Sequence, residues 1–168
     1  MTEATSPPYA NWNWRDAPVE PGNIILVDVD GVISDGTHRQ HFLQQAKKDW
    51  TSFFEHCDKD DPLVHQMAMI NAFDPTLPIV LLTARPHHLR DKSLEWLSRQ
   101  NMRWDALILR DKRDGTLRSP QFKQRSVRQL RKQGYEPIVS FDDDQRNVAM
   151  FHAEDVPCVY IHSGYYEA

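Results

Sequence analysis

Asp28 and Asp30 stand two residues apart at the end of the apolar run Ile24-Ile25-Leu26-Val27, with Gly31 immediately after. Carboxylates at that spacing point to the same side of a strand end. Gly31 permits a sharp turn and a close approach of a ligand to the backbone. Two aligned carboxylates repel each other and are stable as a pair mainly around a cation. Taken alone, the tetrad also fits a solvated strand-to-loop junction, so its meaning depends on partners at other strand ends.

Three partners follow along the chain. Ile79-Val80-Leu81-Leu82 runs into Thr83-Ala84-Arg85, which offers a hydroxyl and adjacent N–H groups suited to a phosphate oxygen. Lys123 lies four and seven residues before Val127 and Leu130, on the inward stripe of a helix, where an ammonium needs carboxylates or a bound anion. Ile138-Val139-Ser140-Phe141 then ends in Asp142-Asp143-Asp144, a self-repelling run that calls for a divalent cation. These are the parts for transferring a phosphoryl group to an aspartate and hydrolysing it. Hard oxygen ligands without a His/Cys cluster favour Mg²⁺ over zinc. In that chemistry Asp28 attacks in line, the metal and Lys123 neutralise the phosphoryl oxygens, and Asp30 protonates the leaving oxygen and then activates water.

The elements that must position these groups are legible as five continuous apolar runs: 23–29, 78–83, 105–109, 138–141 and 157–161. Continuous rather than alternating runs suit strands covered on both faces. Helical stripes separate them: one opened by Asp61-Pro62 and carrying Leu63, Met67 and Ile70; one over 86–100 with Leu89, Trp96 and Leu97; one over 121–133 closed by Gly134; and one over 145–152 burying Val148 and Phe151. Alternating strands and helices imply a parallel α/β sheet with its site at the carboxyl ends of the strands. The polar connection 34–60 breaks the rhythm and reads as a small lid over the site. Residues 1–22, with Pro7, Pro8, Pro18 and Pro21, read as an extended lead-in pinned by Trp12 and Trp14, and 23–168 as one domain.

The chain has 168 residues, 40% apolar and 26% charged, ordinary values for a globular protein. No apolar run approaches membrane-spanning length, the first residues lack a signal architecture, and Cys57 and Cys158 have no metal-type spacing, so the expectation is a cytoplasmic protein without membrane partners. The net charge of −4 hides an asymmetry, because residues 85–132 hold fourteen Lys/Arg against five Asp/Glu. That segment either tracks an anionic polymer or decorates the outer faces of helices.

The ordered set Asp28-Val29-Asp30-Gly31-Val32, Leu81-Leu82-Thr83, Lys123 and Asp142-Asp143 resembles the haloacid dehalogenase-like (HAD) phosphohydrolase superfamily over about 23–160. The resemblance implies a three-layer Rossmann-like fold with a central parallel five-stranded sheet and a small helical lid after the first strand. It also implies Asp28 as nucleophile and Asp30 as general acid/base. Mg²⁺ would be held by Asp28, the main-chain carbonyl of Asp30 and a fourth-motif acid, Asp143 or its neighbour Asp142. Within the superfamily, His38-Arg39, Asp49-Trp50-Thr51-Ser52-Phe53-Phe54, Thr83-Ala84-Arg85-Pro86, Glu95-Trp96-Leu97, Leu109-Arg110 and Val148-Ala149-Met150-Phe151 are most similar to the 3′-phosphatase domain of polynucleotide kinase-phosphatases. Two departures are Asp144, where those relatives often carry arginine, and Val32, where threonine or serine is usual. No Gly-x-x-x-x-Gly-Lys-Ser/Thr loop occurs, so a kinase half is not expected here, and a separate kinase or ligase is a possible partner.

Several residues carry two readings. Arg85 either clasps a substrate phosphate or is a helix-start surface arginine. His38, Arg39 and His41 either line the site or are solvated lid residues. Trp50 and Phe53 either stack on a base or pack the lid on the body. The expectation is a Mg²⁺-dependent phosphomonoesterase acting through an aspartyl-phosphate on nucleic-acid 3′ ends. The alternatives are a small-molecule 5′- or 3′-nucleotidase and a catalytically silent phosphate- or RNA-binding module.

Overall fold

The computed structural model describes residues 9–167. Five parallel strands form as read: β2 (Asn23–Val27), β5 (Ile79–Pro86), β6 (Ala106–Arg110), β7 (Glu136–Asp142) and β8 (Cys158–Tyr160). A sixth strand was not foreseen. β1 (Trp12–Trp14) pairs antiparallel with β6, giving the order β1-β6-β5-β2-β7-β8. The lead-in is therefore part of the sheet where it is described; Pro7 and Pro8 lie outside the described residues.

The apolar runs divide between two faces with the two-residue strand period. Ile25, Val27, Ile79, Leu81, Leu107 and Leu109 meet Met67 and Ile70 of α2 (Val64–Asn71) and Trp96 and Leu97 of α3 (Arg90–Ser98). Ile24, Leu26, Val80, Leu82 and Ile108 meet Phe122, Val127 and Leu130 of α4 (Ser119–Lys132) and Met150 and Phe151 of α5 (Gln145–Ala153). Helices on both faces make the three-layer α/β arrangement, and the order places β2, which leads to Asp28, between β5 and β7. In α5 it is Met150, rather than Val148, that joins Phe151 in the core.

The 34–62 insertion holds β3 (Ser34–Asp35), a 3₁₀ turn over Thr37–Phe42, α1 (Trp50–Glu55) and β4 (Asp61–Pro62), with β3 and β4 paired antiparallel. Asp61 is thus not the cap of the following helix: Asp61 and Pro62 belong to this two-strand ladder, and α2 starts only after Leu63, whose N–H donates to Ile33 O at 2.9 Å.

Candidate active site

β2 stops at Val27, and Asp28 is held beside β7 by its N–H donating to Phe141 O (3.0 Å). The chain then turns tightly. Val29 O accepts from Ile33 and Ser34, and Gly31 donates to Ser34 O at 2.9 Å with a φ of +82°, a conformation that glycine adopts without strain. The turn sends the two carboxylates apart, against the expectation that they share a side. Asp28 joins β7 and α4, whereas Asp30 faces Arg85 and Arg39.

Asp28, Asp142 and Asp143 each present a carboxylate oxygen within 4.8 Å of the others. Lys123, 1% exposed, reaches this group from α4, with Nζ 2.6 Å from Asp142 Oδ2 and 3.0 Å from Asp28 Oδ1. Burial disfavours its ammonium, yet the charges of Asp142 and Asp28 outweigh that and hold its pKa above the ordinary value. Asp142 is fully partnered: Oδ1 accepts from the Asp144 N–H and from Asn147 Nδ2, both at 3.0 Å. Asp143 is the opposite case. It is 1% exposed and neither carboxylate oxygen receives a hydrogen bond. Burial pushes Asp143 up to about 7 and raises Asp28 well above its usual range, the latter against the pull of Lys123. A buried carboxylate without a hydrogen-bond partner, flanked by two others, is a donor set that could hold a cation, and its all-oxygen ligands suit a hard divalent ion.

Asp30 sits outside that cluster. Arg85 donates to it from Nε (3.1 and 3.2 Å) and from Nη2 (2.7 Å), and Arg39 Nη2 bonds the same Oδ1. Burial favours the protonated form, but the two guanidinium charges win and hold Asp30 well below the usual carboxylate range. Arg85 is itself 1% exposed, bonding Ser93 and Ser34 at 3.2 Å, so at rest its guanidinium serves Asp30 rather than an open phosphate site.

Arg39 is not a solvated residue of the insertion. It is fully buried, stacks at 4.3 Å on Phe53, and forks onto Asp60 through Nε (2.8 Å) and Nη2 (2.6 Å). His38 Nε2 adds a 2.8 Å contact to Asp60, and Ser34 bonds it as well. Asp60 was missed altogether from sequence, because nothing in the local pattern marks a carboxylate as the partner of an arginine twenty-one residues earlier.

Thr83 is buried, and its Oγ1 accepts from the Arg85 N–H at 3.2 Å. Neither it nor half-buried Ala84 opens a helix: β5 continues to Pro86, a 3₁₀ turn follows, and α3 begins at Arg90. Asp144 caps α5 by accepting from the Arg146 N–H (2.9 Å) and pairs with that guanidinium at 2.7 Å.

Part of the basic excess of 85–132 meets carboxylates within the protein. Besides Arg85 and Lys123, Lys92 pairs with Glu55 (2.9 Å), Arg113 with Asp111 (2.9 Å), Arg125 with Asp114, Arg128 with Glu154 (2.7 Å) and Arg131 with Glu136 (2.8 Å). Phe53 packs inward, whereas Trp50 does not.

A family model described as the polynucleotide kinase PNKP phosphatase domain matches residues 22–166. The chain belongs to that family. The PNKP phosphatase match spans every strand end described above, from Asp28 to Asp143. Among solved structures, the chain is similar to one in a Pnkp1/Rnl/Hen1 RNA repair complex, at a TM-score of 0.67 and 18% identity over 89% of this chain and 45% of that one. A second Pnkp1/Rnl/Hen1 complex gives 0.68 and 17%, over 94% and 51%. The class C acid phosphatase of Bacillus anthracis with tungstate bound gives 0.59 and 14%, over 88% and 69%. These likenesses concern the fold, and the chain spans about half the length of the first two chains it matches. No curated protein matches the sequence. Among the described residues no helix is long and apolar enough to cross a membrane.

Proposed function

We propose that this member of the PNKP phosphatase family is a Mg²⁺-dependent phosphomonoesterase that removes the 3′-phosphate from nucleic-acid ends. The observation that carries the reading is Asp28, a strand-end carboxylate 3.0 Å from buried Lys123 and gathered with Asp142 and orphaned Asp143. In the first step an Asp28 oxygen bonds to phosphorus, the ester P–O bond breaks, and the leaving oxygen takes a proton from Asp30. In the second, water attacks the aspartyl-phosphate, gives its proton to Asp30, and frees Asp28 and phosphate. Asp28, the Asp30 carbonyl and Asp143, with Asp142 alongside, would hold the divalent ion, which when bound supplies positive charge against the phosphoryl oxygens.

Lys123 adds a fixed cation beside the nucleophile. Thr83, Ala84 and Arg85 belong to the phosphate side of the site. At rest Arg85 and Arg39 keep Asp30 ionised, the form that accepts a proton from water. A phosphoryl group competing for Arg85 loosens that clamp, and Asp30 becomes easier to protonate for the first step. The 34–60 insertion acts as a small lid, small enough to leave room for a polymer end. Likeness to a chain of an RNA repair complex supports a nucleic-acid substrate and separate kinase or ligase partners.

A small-molecule nucleotidase using the same residues is the second reading, favoured by the internal pairing of Arg128 and Arg131 in the basic segment. Phosphate release with Mg²⁺ from 3′-phosphorylated oligonucleotides, 5′-phosphorylated oligonucleotides and mononucleotides separates the two. Preference for the 3′-phosphorylated polymer is expected, and equal turnover of mononucleotides overturns the polymer assignment.

A further inference from the structure

Four of the five tryptophans are buried or half-buried, whereas Trp50 keeps 50% of its surface exposed. Its orientation is nonetheless fixed. The indole stacks on Phe54 at 28° with centroids 5.9 Å apart and meets Phe53 edge-on at 5.8 Å. Lys48 Nζ lies 5.9 Å from the indole centroid, and Lys47 and Lys48 are both exposed, with no ion pair holding either among the described residues. The platform is also tied to the reaction centre. Phe53 carries the Arg39 guanidinium, and Arg39 bonds Asp30, so two side chains separate Trp50 from the proposed acid/base.

We infer that Trp50, backed by Phe54 and flanked by Lys48, with exposed Lys47 next to it in the chain, is a stacking platform for a base of single-stranded nucleic acid entering the site. This rests on the nucleic-acid reading above. A preoriented half-exposed indole offers a π-face that any base can cover, and neighbouring lysines meet the flanking phosphate. Lys48 against the ring, with exposed Lys47 adjacent in sequence, fits a nucleic acid better than a protein surface, since protein interfaces are depleted in lysine. In this corner of the insertion an exposed lysine with no carboxylate partner among the described residues lies against an exposed indole.

The test needs no catalysis. The full chain, in EDTA and low salt, is titrated with a single-stranded oligonucleotide ending in a 3′-hydroxyl, following tryptophan fluorescence and the anisotropy of a labelled copy of that oligonucleotide. Saturable quenching is expected in the wild type. Trp50→Ala loses the quench and weakens binding about tenfold, whereas Trp50→Phe loses the quench but keeps most of the affinity. Lys47→Ala with Lys48→Ala flattens the salt dependence. An unquenched wild type, a quench that survives Trp50→Ala, or unchanged affinity in that variant overturns the inference. Because the probe carries no phosphomonoester, a failed phosphatase assay leaves this result readable. Conversely, an active phosphatase whose Trp50 ignores the oligonucleotide sinks the platform alone.

Discussion

The Asp143 carboxylate lies directly against the bare Cα of Gly31, so that a Cβ built there would overlap Asp143 Oδ2. The glycine of the first strand end and the orphaned acid of the fourth are thus mutually fitted: the left-handed turn that frees Asp28 also makes room for Asp143.

Gly31→Ala is therefore expected to fail twice, through strain at φ +82° and through displacement of Asp143. Turnover should fall about a hundredfold or more, with about tenfold more Mg²⁺ needed for half-activation. Titrating activity with Mg²⁺ checks this; near-normal metal dependence would separate Gly31 from the site.

Asp60 is buried between two arginines, and removing it strands their charges. Asp60→Ala should destabilise the fold by about 3–5 kcal/mol in urea unfolding. Arg39→Ala combined with Asp60→Ala should be less than additive, because the two form one network. Additive losses would show that the fork between them contributes nothing.

Asp143 sets a pH dependence of stability in the metal-free protein. Its folded value of about 7 lies above the ordinary 3.8, so the folded chain keeps a proton that the unfolded chain has released. Stability then falls as pH rises between those values, and Asp28, raised in the same sense, adds to the fall. Melting in EDTA at about pH 5 and about pH 8 should show the loss, and Mg²⁺ should restore more at the higher pH. Equal Mg²⁺ stabilisation at both would contradict the assignment.

Lys123→Met leaves Asp28 and Asp142 facing each other without their shared cation. Turnover should fall at least about a hundredfold while the apolar stem still packs in α4, as circular dichroism and melting would register. Retained activity would mean that the metal alone neutralises the phosphoryl oxygens.

The five parallel strands were legible because each is a continuous apolar run feeding both faces of the sheet. Lys123 was legible because its spacing from Val127 and Leu130 left no solvent-facing alternative. β1 was not, because it lies in a proline-flanked segment whose polar residues satisfy themselves on β6: Asn11, just before the strand, donates from Nδ2 to Leu109 O at 2.8 Å, and Asn13 from Nδ2 to Leu107 O at 3.1 Å. The Arg39–Asp60 fork escaped for a different reason. A buried ion pair is made by two distant residues meeting, and neither carries a local periodicity that announces it.

In the proposed reaction the Asp28 carboxylate receives the phosphoryl group. Rapid quenching during turnover of a 3′-phosphorylated oligonucleotide with Mg²⁺, followed by borohydride reduction, converts a phosphorylated aspartate to homoserine that peptide mapping can locate. Homoserine at position 28, dependent on substrate and metal and absent from Asp28→Asn, is the expected result. Homoserine at another aspartate, or none at position 28 in an enzyme that is turning over, would contradict it.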